Sequence, residues 1–310
     1  MNGYQGKYGI MNRRCGGFIL VSVLFLCVML VACATAYAWF ARLQIKTMTQ
    51  EKANMQARSV AFLLSQEVIK GLKLDTNNYD SLHEPWFQPM LIPLSNYGFA
   101  NVTLKPLDNK IPLRHLFLPD GTTLRNELKD VWEKMWTELG VRTSLPAIVL
   151  DYIDKDTIPR LGGRDGPGNL NRNLLDISEL LGIQEIDSDL LFGKHPNRGI
   201  ADYCTMWSDA KININVAEPH VLMLLRSMNK NYVEEIIKLR EKKEIASFED
   251  LREIPGFPLG AIPSFMNLIG FTSAYYNLRI ELMDENWSSS RYFDIVLLKS
   301  DGRILKWEEM

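Results

Sequence analysis

The most pronounced hydrophobic run opens the chain, where no charged residue occurs from Cys15 to Ala41. It exceeds the roughly 20 residues an α-helix needs to cross a hydrocarbon core, and predicts a membrane span over residues 18–41. Neither proline nor glycine occurs from Phe18 to Lys70. The helix is therefore predicted to continue past the span, reaching on the order of 80 Å at about 1.5 Å per residue. Beyond the span, Ala41, Met48, Met55, Phe62 and Ile69 recur every seventh position. That spacing predicts an apolar stripe against which a folded domain or neighbouring helices pack.

The pattern then changes period. Phe99, Val102 and Leu104 sit in an alternating run that reads as a strand before the polar turn Asp108-Asn109-Lys110. From residue 113 to 271 helical patterns dominate, with candidates at Leu124–Leu139, Pro146–Asp154, Ile177–Leu181, Glu218–Ser227, Tyr232–Lys243 and Phe248–Glu253. The stretch from Pro159 to Asn173 is glycine-rich and reads as a loop. Alternation returns in Tyr276–Met283 and Tyr292–Leu298, bridged by a polar turn containing Asn286 and Ser288 to Ser290, and Ile304–Trp307 is placed beside them. The expected class is α+β: one long helix, then an antiparallel sheet interrupted by a large inserted all-α domain.

Composition removes several function classes. A net charge of −2 with 23% charged residues gives no general attraction for nucleic acid or acidic lipid. Cys15, Cys27 and Cys33 lie in or beside the apolar run and leave only Cys204 elsewhere, so no disulfide framework is available to the remainder. His83, His115, His195 and His220 stand singly, which does not suit zinc. There is no Gly-x-Ser-x-Gly turn, no phosphate-cradling glycine loop and no paired His-Glu metal motif. The chain is read as no enzyme, with no required cofactor.

Lys7, Arg13 and Arg14 precede the apolar run, favouring a cytoplasmic N-terminus and an outward-facing bulk. Three processing routes compete: an uncleaved anchor, a lipoprotein signal ending Leu30-Val31-Ala32-Cys33, and a leader ending Cys15-Gly16-Gly17 before Phe18. A lipidated Cys33 is normally followed by a polar, flexible tether, whereas Ala34 to Phe40 is apolar and aromatic. Cleavage at Gly17/Phe18 fits better, because it leaves the whole apolar run in the finished protein.

These N-terminal residues resemble the type IV pilin and pseudopilin superfamily, whose leader peptidase cuts after glycine and before an N-methylated phenylalanine or methionine. Most members carry glutamate at the fifth mature position, where it pairs with a neighbouring subunit's terminal amine; here that position is Ser22. Lack of the acid suits a subunit at the end of a filament. Within the superfamily the chain resembles the general secretion pathway protein K family, through LPAIVLDYIDKD (Leu145 to Asp156), AKININVAEPHVLMLL (Ala210 to Leu225), SFEDL (Ser247 to Leu251) and ILKW (Ile304 to Trp307). The resemblance implies a leader over 1–17, a transmembrane helix over 18–41, and a pilin-like domain in two parts, 42–112 and 272–310. The inserted helical domain, 113–271, would be of helix-hairpin-helix or SAM-like type. It also implies a minor pseudopilin at the tip of a type II secretion pseudopilus, single-pass in the bacterial inner membrane with its bulk periplasmic. Implied partners are the I- and J-type minor pseudopilins, the major pseudopilin, the prepilin peptidase, and exported proteins or the secretin.

Two motifs carry other chemistry. Ile212 to Gly256 looks like a pair of helix-hairpin-helix elements, as used by membrane-anchored DNA receptors. Its first turn, Ser227 to Asn231, lacks glycine, and its second places Pro255 where a free amide would be needed. Its basic residues Lys238, Arg240, Lys242 and Lys243 interleave with Glu234, Glu235, Glu241 and Glu244, so no nucleic-acid partner is expected. Asp151, Asp154, Asp156 and Asp165 could supply oxygen ligands to calcium, a cation known in the family's helical domain, although Arg164 stands where the family often has an acid. Asn213 and Asn215 are expected to cap a helix opening near Ala217.

Overall fold

The computed structural model describes residues 15–94, 98–283 and 290–310. The basic flank Lys7, Arg13 and Arg14 and the turn residues Asn286 and Ser288 lie outside the described residues. Contacts divide the chain into one unit ending at Val60 and a second running Ala61–Met310.

Helix α1 spans Cys15–Leu74 without interruption, as expected of a segment free of breakers, and passes through Gly71 before stopping. From Phe18 to Phe40 its side chains are exposed, Phe18 by 75% and Trp39 by 68%. Among the described residues it is the one helix long and apolar enough to cross a membrane. Of the expected seven-residue stripe, Ile69 is buried within the chain. Met48 and Met55 are exposed, and Phe62 is half-exposed. In the second unit the buried positions are Ala61, Ser65, Ile69 and Leu72, spaced at three and four. A straight helix turns every 3.6 residues, so a strict heptad drifts around it.

After α1 come β1 (Met90–Leu94) and β2 (Gly98–Pro106). The region that follows contains β3 (Ile111–Pro112), α2 (Asn126–Glu138), α3 (Leu145–Ile153), α4 (Ser188–Phe192), α5 (Ile200–Tyr203), β4 (Cys204–Thr205) and β5 (Ile212–Asn213). It continues with α6 (Pro219–Leu222), α7 (Lys230–Lys242), α8 (Ile262–Phe265) and β6 (Ile269–Gly270). Strands β7 (Tyr275–Met283), β8 (Ser290–Leu298) and β9 (Ile304–Glu309) close the chain.

Five strands form one antiparallel sheet in the order β1-β2-β7-β8-β9. Strand β2 pairs with β7 from Phe99↔Met283 to Pro106↔Tyr276, so the helical region is inserted between two adjacent strands. Alternation places Ala100, Val102, Leu104, Leu278 and Ile280 in the core while their neighbours face outward. Strand β1 has no such alternation in the sequence and carries Pro93, which suits its place at the sheet edge.

The insertion has its own core, in which Leu128, Trp132, Met135, Val149, Leu180, Ile236 and Phe265 are buried. It departs from an all-α region in two places, where two-residue parallel pairs join β3 to β4 and β5 to β6. The helix expected over Glu218–Ser227 shortens to α6. The segments expected at Ile177 and Phe248 become 3₁₀ turns, Ile177–Gly182 and Asp250–Glu253.

Where sheet and insertion meet, two carboxylates are buried. Asp80 accepts from the Ser273 amide at 2.6 Å and the Tyr276 hydroxyl at 2.7 Å, and pairs with Lys299 at 3.2 Å. Asp108, expected in a polar turn, is only 2% exposed. Its carboxylate accepts from the amides of Asp209 (2.7 Å), Ala274 and Tyr275 (both 2.9 Å). Burial pushes its pKa up to about 6 even though those amides pull it down. Asn213 and Asn215 do not cap a helix. Asn213 donates to the Asp80 carbonyl and Ser273 Oγ, while Asn215 donates to and accepts from the Ile245 backbone. Both asparagines are buried and need hydrogen-bond partners: the Asn213 carbonyl oxygen accepts from the Asn215 amide, and the other bonds come from residues distant in the chain.

Candidate functional site

The four aspartates singled out by the sequence cluster where α3 ends. Pro146 near the helix start needs no amide partner, and the buried face Ile148, Val149, Tyr152 and Ile153 holds α3 against the insertion core. This anchors Asp151 in the last turn and Asp154 at the cap, both with no exposed surface. The chain then reverses: Lys155 donates its amide to the Gly121 carbonyl, and Asp156 folds back to accept from the Ile158 amide at 2.8 Å.

Arg160, which sequence reasoning did not single out, divides the cluster. Its amide and guanidinium both donate to Asp151, the guanidinium at 2.9 Å, and it also pairs with Asp154 and donates to the Thr122 carbonyl. It further stacks over Phe117 at 5.4 Å. Burial disfavours its charge, yet the Asp154 and Asp151 carboxylates outweigh this and hold it more firmly protonated than usual. Asp151 is therefore a partner of Arg160, not a free metal ligand.

The other three stay together. Carboxylate oxygens of Asp154, Asp156 and Asp165 lie within 4.8 Å of one another. Asp154 Oδ1 and Asp165 Oδ2 are buried with no donor, and so is Asn171 Oδ1. Burial raises the Asp154 pKa against the pull of Arg160, with Asp156 and Asp151 adding to the rise. Buried oxygens lacking donors are costly unless a cation satisfies them, and an all-oxygen donor set fits a hard ion such as calcium. Asn171 belongs to a segment held at the helix end, where the Leu170 and Asn171 amides donate to the Tyr152 carbonyl. Its left-handed backbone is one that asparagine tolerates. The sequence hint was the asparagine-rich tail of the glycine loop.

Arg164 is paired: both its terminal nitrogens donate to Glu185 at 3.2 Å, which offsets its charge at the loop. Gly163 is required by contact: a Cβ there would stand 2.0 Å from Asp151 Oδ2.

In the hairpin region three of the four basic residues are engaged within the fold. The half-buried Arg240 donates to the carbonyls of Ile214 (3.0 Å) and Ala217 (2.6 Å), with its pKa lowered by burial. Lys238 pairs with Glu235, and Lys243 with Asp250 and Glu253. At the N-terminal end, Gly17 and Phe18 lie within α1, and Ser22 Oγ donates to the Phe18 carbonyl at 2.8 Å, a local bond that brings no charge into the apolar segment.

No family model matches the chain, and no curated protein matches it. Among solved structures, it is similar to a chain of the GspK-GspI-GspJ complex from the enterotoxigenic Escherichia coli type 2 secretion system. The TM-score is 0.61 at 16% identity, covering 86% of this chain and 98% of that one. The chain has a pilin-like fold. Within that pilin-like fold the acidic cluster lies in the insertion between β2 and β7, away from the main sheet, on a loop held by Arg160.

Proposed function

We propose that this chain is a minor pseudopilin of a type II secretion machine, anchored in the inner membrane by residues 18–41 and working by assembly, not catalysis. The observation that carries this is the match along 98% of a chain from the GspK-GspI-GspJ complex, which spans helix, sheet and insertion together. Ser22 supports a place at the tip. With its hydroxyl bonded within its own helix, it offers no carboxylate to the terminal amine of another subunit in an apolar setting. The subunit then starts the pseudopilus beside I- and J-type minor pseudopilins, above the major pseudopilin, and turns its insertion toward exported proteins or the secretin. Small residues Ala32, Ala34 and Ala36 favour close helix contact in the membrane. Processing by the prepilin peptidase leaves Phe18 as the methylated first residue.

The acidic cluster is proposed to hold calcium through Asp154, Asp156 and Asp165. The ion would neutralise the carboxylates and tie the glycine loop to the end of α3. The DNA-receptor alternative is disfavoured by the internal commitments of Arg240, Lys238 and Lys243.

Intact mass of the protein recovered from membranes tests the core of the proposal. A species beginning at methylated Phe18 is expected, co-purifying with other pseudopilins. A lipidated Cys33 as first residue, or recovery in many copies along a fibre, overturns it.

A further inference from the structure

A second concave site lies beside the aspartate loop and belongs to none of the chemistry above. It is a cavity of about 430 Å³ whose walls include Arg114, His115, Phe117, Leu118, Arg125 and Lys155, and no carboxylate lines it.

The three cations are not equivalent. Arg125 is fully engaged, donating through Nε and Nη2 to Glu127 and through Nη1 to the carbonyls of His115 and Ala210. Arg114 makes a single long bond, 3.4 Å to the Leu175 carbonyl, and stacks over Trp207 at 4.7 Å. A guanidinium has five N–H donors, so most of its capacity remains. Burial lowers the pKa of His115, which leaves it neutral at pH 7 and able to serve only as a dipolar neighbour. Asp120, beside Gly121 in the chain, is turned to the amides of Thr122 and Thr123 at 3.0 Å, and its charge acts on Lys155 only from beyond ion-pair distance.

Lys155 is the most deliberately placed. Its amide donates to the Gly121 carbonyl, and its stem lies so close to Gly121 that a Cβ there would stand 2.3 Å from Lys155 Cδ. Gly121 has φ +77°, a conformation that favours glycine. The lysine stem runs along it at the cavity wall, and among the described residues its ammonium has no carboxylate within ion-pair distance. The apolar wall of Phe117 is held by Arg160 stacked over it. At the rim, Leu118 is 45% exposed.

We propose that this cavity binds a carboxylate of an incoming polypeptide, with Lys155 and Arg114 pairing to the acid and Phe117 and Leu118 covering an adjacent apolar side chain. Two cations without an ion pair of their own favour an anion, and charge-assisted bonds in a partly enclosed site are the strong ones. The apolar rim favours a peptide over a small inorganic anion. The carboxylate comes from a chain terminus or from an aspartate or glutamate side chain. This inference stands on the cavity alone and does not depend on the secretion role.

The test is isothermal titration of the full chain in detergent micelles with three short peptides. One ends in Leu-Phe with a free carboxylate, one carries an internal Leu-Glu with an amidated end, and one replaces that glutamate by glutamine. At least one acidic peptide is expected to bind at least about tenfold more tightly than the glutamine peptide, and Lys155→Gln to remove about tenfold of that affinity with the melting temperature unchanged. Arg114→Gln is expected to act in the same direction. Preference for the free terminus or for the internal acid identifies the source, and either supports the site. Equal binding of acidic and neutral peptides, no binding at all, or wild-type affinity in Lys155→Gln would overturn it.

Discussion

Asp108→Asn removes one oxygen from a buried carboxylate that receives three amides, those of Asp209, Ala274 and Tyr275. An asparagine amide oriented to keep two of these bonds presents its NH₂ to the third donor, at a cost of about 1–3 kcal/mol. Against this, the substitution removes a buried charge. A pKa raised from 3.8 to about 6 means the ionised form burdens the fold by about 3 kcal/mol at neutral pH. The two terms nearly cancel at pH 7, so stability there discriminates little, and the slope with pH is the sharp observable. The folded carboxyl keeps a proton that the unfolded chain has already released between about pH 4 and 6. The stabilisation from this group is thus complete below about pH 4 and lost as pH rises through about 6. Going from pH 7 to pH 5, the wild-type chain should gain about 1.3 kcal/mol relative to Asp108→Asn. Urea unfolding of both proteins in detergent, followed by the fluorescence of the seven tryptophans, measures the difference at each pH. Parallel pH curves, or a wild type that loses ground on acidification, would refute the reasoning.

Arg160→Ala leaves Asp151 and Asp154 buried without their cation and is expected to cost about 3–5 kcal/mol, read as a drop in urea midpoint. Gly163→Ala drives a methyl toward Asp151 Oδ2 and should cost about 1–3 kcal/mol, with α2 and α3 still formed by circular dichroism. Saturating calcium should raise the melting temperature, by about 2.7 kcal/mol of stability at a hundredfold excess over Kd, and Asp165→Ala should abolish the rise. Trp132→Ala empties a site with 2% exposure in the insertion core and should cost about 3–5 kcal/mol by the same urea assay.

Local pattern was a good guide wherever an element's environment is uniform along its length. Helix α1 was legible because apolar residues without breakers can do little else. Strands β7 and β8 were legible because each has one face in the core, so burial imposes a period of two. Strand β1 escaped notice because an edge strand with most residues exposed has no alternation to show. The aspartate cluster was visible as residues, but its division was not. Arg160 looks like any loop arginine until the chain reversal at Lys155 brings it back onto Asp151 and Asp154.

Spacing along the chain specified an apolar rod, an antiparallel sheet and a helical region between its strands, because each depends on interactions a few residues apart. The polar network at the sheet–insertion junction depends on partners such as Asp108 with Tyr275, and Asn213 with Asp80, which are far apart in the chain and meet only once it has folded. A carboxylate in a turn and a carboxylate in a core have the same letter. Their different pKa, charge and role arise from desolvation and from which amides reach them, and both are properties of the assembled structure.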